Sequence, residues 1–219
     1  SAMGSVTASS RPTDRKTSVR ASSSAITHGT VPVSDAVLHV HWQAWDGSSD
    51  EEFVMRWDNG GWVAEGTVRG PDIQYVMRLG PDHRVTQLLL FRDLEEPDLW
   101  LATDGRGRWG EMNGSERIDL EGCVTVSVAC SPSATLAAVR ALDLAVGDST
   151  TVSVAEIDVD TLAVKPVQHT YSRVSERRWS LSAGPNGFVG EFEVDDDGVL
   201  LHAQDWFRGN RLPAAGDLP

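Results

Sequence analysis

Hydrophobic and polar residues alternate with a period of two along most of the chain. From Val37 to Trp45 one face carries Leu38, Val40, Trp42 and Ala44, and the other carries His39, His41, Gln43 and Trp45. Between Cys123 and Ala129, Val124, Val126 and Val128 oppose Thr125, Ser127 and Ala129, and residues 151–159 and 187–195 repeat the pattern. Successive side chains of a strand point to opposite sides, so this spacing predicts half-buried strands. Turn signals such as Asp58-Asn59-Gly60-Gly61, Gly70-Pro71-Asp72, Gly80-Pro81-Asp82 and Asp196-Asp197-Gly198 interrupt it at intervals of about 8–12 residues, the rhythm of an all-β protein. The pattern predicts a dozen or more strands. Their edges must be hidden by packing two sheets together or by rolling one sheet onto itself. Thr135–Leu144 is the one helix candidate, and β-formers and small residues weaken it.

Composition separates the body from its ends. Residues 1–33 are rich in Ser and Thr and begin with Ser-Ala-Met-Gly-Ser, which reads as an expression-tag scar followed by a flexible tail. Residues 34–210 read as one domain, and 211–219 as a C-terminal tail. Of the net charge of −13, the first segment contributes +3 (Arg11, Arg15, Lys16 and Arg20 against Asp14), so the remainder carries −16. A body this acidic repels phosphate backbones, which argues against nucleic acid as a partner. The longest uncharged run, Gly122 to Val139, has the length of a membrane span. It contains Thr125, Ser127, Ser131, Ser133 and Thr135, too polar for hydrocarbon, and reads as a buried strand plus loop, with no stable membrane insertion. Cys123 and Cys130, placed on one strand, would stand about 23 Å apart and cannot pair. Two unpaired thiols fit a reducing, cytoplasmic compartment.

The stretch from Leu99 to Leu142 combines a glycine-rich hairpin, Asp104-Gly-Arg-Gly-Arg-Trp109, with Gly122-Cys123, a Ser131-Pro132 step and Arg140. This combination resembles the family named "putative glycolipid-binding", small bacterial all-β proteins whose pattern includes D-G-x-G-x-W, G-C and a Thr/Ser-Pro step before an arginine. The resemblance extends over about Trp42 to Gly209. Tyr75 is similar to the family's Tyr-bearing strand, Gln168 to Tyr171 to its Gln-x-Tyr element one residue off, and Trp206-Phe207-Arg208 to its closing hairpin. Two departures stand out. Ala134 to Ala141 keeps only Arg140 of the family's polar run there, and Ala203-Gln204 replaces its Tyr-Pro. The resemblance implies an antiparallel β-barrel or β-roll enclosing space for a lipid or glycolipid. It makes Asp104, Trp109, Arg140, Tyr75, Tyr171 and Trp206 the ligand-site candidates, each of which a scaffold role would also explain.

The remaining constellations are weak. His39 and His41 share a strand face with metal-ligand spacing, and His169 or His202 would have to complete the set. Structural zinc favours closely spaced Cys and His pairs, so neither a metal nor a cofactor is expected. Asp195-Asp196-Asp197-Gly198 lacks the alternating ligands of a calcium loop and reads as a hairpin turn. Glu191 and Glu193 lie on one strand face, as a glycosidase pair would, yet strand alternation produces such pairs routinely. No nucleophile elbow, zinc-protease helix or dinucleotide fingerprint is present. The eight tryptophans supply apolar area suited to acyl chains and sugar faces. The expectation is therefore a non-catalytic protein holding a lipid or glycolipid in a Trp-lined interior. A hydrolase using the same cavity, or a closed scaffold acting through protein contacts, are the alternatives. Composition leaves the oligomeric state open.

Overall fold

The structure is a computed structural model, and it describes residues 37–213 apart from 94, 185 and 186. The N-terminal segment 1–33 and most of the C-terminal tail lie outside the described residues. Fourteen strands form one sheet: β1 (Leu38–Ala44), β2 (Asp50–Asp58), β3 (Gly61–Arg69), β4 (Ile73–Leu79), β5 (Val85–Phe91), β6 (Leu99–Thr103), β7 (Trp109–Glu111), β8 (Thr125–Val128), β9 (Ser149–Ile157), β10 (Val164–Arg173), β11 (Arg178–Ala183), β12 (Val189–Val194), β13 (Leu200–Ala203) and β14 (Phe207–Arg211). Between β8 and β9 the chain forms one helix, α1 (Ser133–Ala141).

Two meanders make up the sheet. Strands β1 to β7 pair in sequence order on one side, β14 back to β8 on the other, and β1 joins β14 at the centre. All pairings are antiparallel except β8 with β9, which is parallel. This is the curled all-β roll of more than a dozen strands that the alternation predicts. Its two outer strands, β7 and β8, are not paired with each other, so the roll stops short of a closed barrel. A short connection spans that seam. Gly122 N–H donates to the Gly107 carbonyl (3.0 Å), and Trp109 Nε1–H to the Cys123 carbonyl (2.9 Å). Gly107 and Gly122 both hold positive φ (+92° and +85°), and a methyl on Gly107 would reach van der Waals contact with Gly122 at 3.4 Å. The D-G-x-G-x-W and G-C motifs thus meet where the sheet ends come together.

The concave side is filled by α1. Ser133, Ala134, Thr135, Leu136, Ala137 and Ala138 are all buried, and Leu136, Ala137 and Ala138 join a core of Val40, Trp42, Phe53, Leu88, Leu101, Tyr171 and Phe192. Gly122 to Val139, expected to be a strand plus loop, is instead a four-residue strand, a turn and most of this helix. Small side chains let the helix approach the sheet closely, and a helix apolar on all sides is a buried one. Three indoles belong to the solid core. Trp42, Trp109 and Trp179 are buried, with Trp42 Nε1–H donating to the Leu200 carbonyl at 2.9 Å.

Candidate ligand-binding site

Where the N-terminal end of α1 faces β9, β10 and β11, the packing leaves a recess of about 150 Å³. Strand β10 supplies its polar wall. In the phase of that strand His169 and Tyr171 point inward, and Tyr171 Oη lies 3.4 Å from His169 Nδ1. The other ring nitrogen, His169 Nε2, is buried with no partner among the described residues. Only 3% of this residue is exposed. Burial pulls the imidazole pKa down to about 4, so the ring is neutral near pH 7, and burial also pushes the Tyr171 phenol upward. Ser131 and Thr135 add hydroxyls from the turn before α1 and its first turn, and Glu156 adds a carboxylate from β9. Phe188 and Trp206, stacked at 4.4 Å with 11° between their planes, flank the recess and are only half-buried.

A second, open groove of about 610 Å³ runs alongside, bordered by Trp45, Pro71, Cys130 and Phe207. Ala129 and Trp206 line both spaces, so the recess and the groove share a wall. The groove is in the size range of ligand pockets, roughly 300–1,000 Å³, whereas the recess matches a cavity that holds a benzene-sized ring, about 150 Å³.

Behind the recess stands a fully buried carboxylate. Glu51 on β2 is 0% exposed and accepts a short hydrogen bond from Tyr75 Oη on β4. Tyr75 crosses the intervening strand at Gly66, where any side chain would overlap its ring. Its hydroxyl also lies 3.2 Å from Ser131 Oγ, which in turn bonds Ser133 Oγ at 2.9 Å. Burial raises the Glu51 carboxyl to about 7, against the bond from Tyr75 that lowers it, and Glu51 Oε2 has no partner among the described residues. Cys130, beside this carboxyl, has its thiol pushed up to about 12 by burial and by the Glu51 charge. Both cysteines are free.

Of the six residues singled out in the sequence, the structure brings Tyr171 and Trp206 into the recess and puts Tyr75 behind it through Ser131. Asp104 lies elsewhere, exposed, its carboxylate accepting from the backbone N–H groups of Arg106 (2.8 Å) and Arg108 (3.2 Å) and pairing with the Arg108 side chain. Trp109 is at the seam. Arg140 is half-buried at the far end of α1, donating to the Asp197 carbonyl (2.7 Å), next to His83 and over the Trp62 ring. Glu191 and Glu193 are exposed and flank Arg178. His41 lies 3.3 Å from Asp50, and no group of three or more His, Cys, Asp or Glu among the described residues is placed to hold a metal. Asp195 closes the Asp-Asp-Asp-Gly turn by accepting from the Asp197 and Val199 N–H groups, both at 2.9 Å. No helix among the described residues is long and apolar enough to cross a membrane.

Sequence reading passed over Glu51, Ser131 and Thr135, and weighed His169 only as a metal ligand. A signal for Glu51 was present: it falls in phase with Phe53 and Met55, on the buried face of β2.

The fold and its recess define the chain as an all-β roll with a helix in its concave side. A crystal structure of a DUF1089 family protein from Pseudomonas aeruginosa shares that fold, with a TM-score of 0.59 at 20% identity over 74% of this chain and 86% of that one. The family model described as "Putative glycolipid-binding" matches residues 39–209, and the chain belongs to that family. No curated protein matches it.

Proposed function

We propose that this protein binds a glycolipid or related lipid without transforming it, seating the polar head in the recess and the apolar part along the neighbouring groove. The observation that carries this reading is the shared wall at Trp206. A ring-sized polar pocket lined by His169, whose buried Nε2 is unsatisfied among the described residues, opens beside a larger, partly apolar channel. An unpaired buried polar group costs about 1–3 kcal/mol, and a ligand hydroxyl reaching His169 Nε2 would recover it. Methylene burial adds roughly 0.8 kcal/mol per CH₂ on the groove side. Tyr171 and Trp206 touch the ligand in this reading, and Tyr75 positions Ser131. Trp45 and Trp206 are the indoles that line the two spaces, whereas Trp42, Trp109 and Trp179 are packed into the core. Asp104, Trp109 and Arg140 we assign to the scaffold, because turn, seam and helix-end partners already engage them.

The test is native mass spectrometry of the purified protein followed by organic extraction. A co-purifying lipid is expected, and Trp206→Ala lowers its occupancy at least threefold while the far-ultraviolet dichroism stays unchanged. Protein that carries no extractable lipid, and takes up none from a total lipid extract, contradicts the proposal.

A further inference from the structure

Resting on that reading, we infer that the recess selects an uncharged sugar ring and rejects phosphate, sulfate and carboxylate headgroups. The charges around the two spaces point this way. Among the described residues, Glu156 is the charged residue lining the recess, Asp46 and Asp205 line the groove, and neither space is lined by an arginine or lysine. Lys165 and Arg208 meet lining residues from outside the two spaces. Lys165 pairs with Glu156 at 3.5 Å and points largely to solvent, and Arg208 lies over the Trp45 ring, its centroid distance 4.5 Å, donating to the Trp45 carbonyl. An anionic head would enter a low-dielectric pocket facing the Glu156 carboxylate, whose partner Lys165 stays largely in solvent, and like charges repel strongly there.

What the wall offers instead suits a polyol. His169 is a neutral imidazole whose buried Nε2 has no partner among the described residues, and the Tyr171 hydroxyl can both donate and accept. Ring hydroxyls also do both, so they can satisfy this set whichever imidazole tautomer is present. The recess volume holds about one ring. Phe188 and Trp206 present an aromatic face at its side, where the C–H face of a sugar can lie. Burying a site's polar groups against a partner that cannot bond them is what makes such discrimination steep.

Three probes with one tail isolate the head: octyl β-D-glucopyranoside, octyl sulfate and octylammonium, each titrated below its micellar concentration and followed by calorimetry. The glucoside is expected to bind at least tenfold tighter than octyl sulfate, with octylammonium, which the carboxylates attract but which brings no ring hydroxyls, in between. His169→Leu should weaken glucoside binding about tenfold, and His169→Gln, which keeps a donor and an acceptor, by no more than about threefold. If His169→Leu does not fold, Glu156→Gln supplies the second arm: octyl sulfate should gain about threefold or more relative to the glucoside. Octyl sulfate or octylammonium binding as tightly as the glucoside overturns the sugar-ring inference and leaves lipid binding standing. Absence of binding by all three probes overturns the inference and the proposed function together.

Discussion

Glu51 shows how a single residue sets a pH dependence for the whole fold. Its folded pKa, about 7, lies above the ordinary 4.5 because burial penalises the charge more than the Tyr75 hydroxyl relieves it. A raised acid pKa means the folded state binds the proton more tightly than the unfolded chain. Its contribution is therefore fully present below 4.5, declines as pH rises toward 7 and is lost above that. At about 1.4 kcal/mol per unit, the window is worth on the order of 3 kcal/mol. Glu51→Gln should thus match the parent at pH 4.5 in urea unfolding and exceed it increasingly up to neutral pH, where the gain levels off. A parent whose stability rises between pH 5 and 7, with a Gln variant that follows it in parallel, would contradict this account. Gly66 underlies the same contact: Gly66→Ala collides with the Tyr75 ring and should cost about 1–3 kcal/mol while loosening Ser131. The buried phase of Glu51 was legible in the alternation of β2. The free nitrogen of His169 was not, because which side chains face it depends on β9, β11 and α1 converging from distant parts of the chain.

At the scale of elements, α1 was the hardest to read. Its sequence, Ser-Ala-Thr-Leu-Ala-Ala-Val-Arg-Ala, has no amphipathic stripe, starts behind Pro132 without a side-chain cap and mixes strong with weak helix formers. It forms because the roll buries it, not because of local preference. The strands were legible for the opposite reason: one face of each meets the core and the other faces water, so the period of two is written directly into the chain. The helix makes a sharp prediction. Leu136 is 1% exposed amid that core, so Leu136→Ala should destabilise by about 2–5 kcal/mol, read as a lowered urea midpoint with unchanged slope. A loss below about 1 kcal/mol would mean the helix merely rests on the sheet. The glycine motifs at the seam were legible as motifs, but their meeting was not, since Gly107 and Gly122 are joined only by the topology that brings both sheet ends together.

For the whole molecule the decisive junction is β1 with β14. The first and last strands lie side by side at the centre of the sheet, with Val40 opposite Arg211 and Ala44 opposite Phe207. Neither meander can complete the core until residues separated by nearly the entire body have found each other. Trp42 reinforces the joint by reaching past Gly209 to the Leu200 carbonyl. Contacts so distant in sequence are paid for in loop entropy before they stabilise anything, so folding should be slow for a domain of this size, in the range of milliseconds to seconds or beyond. The same topology makes β14 indispensable despite its five residues. A chain ending at Trp206 loses the strand that holds β1 and β13 together and leaves Trp42, Phe53 and Ala203 facing water. It should show no cooperative thermal transition and should bind a hydrophobic dye such as ANS. A circular permutant that links the two body termini and opens the seam between β7 and β8 keeps the central junction covalently close, and should refold faster than the parent in stopped-flow fluorescence. If the truncated chain unfolds as sharply as the parent, the two meanders are independent folding units and the junction between them is an interface, not the spine of one sheet.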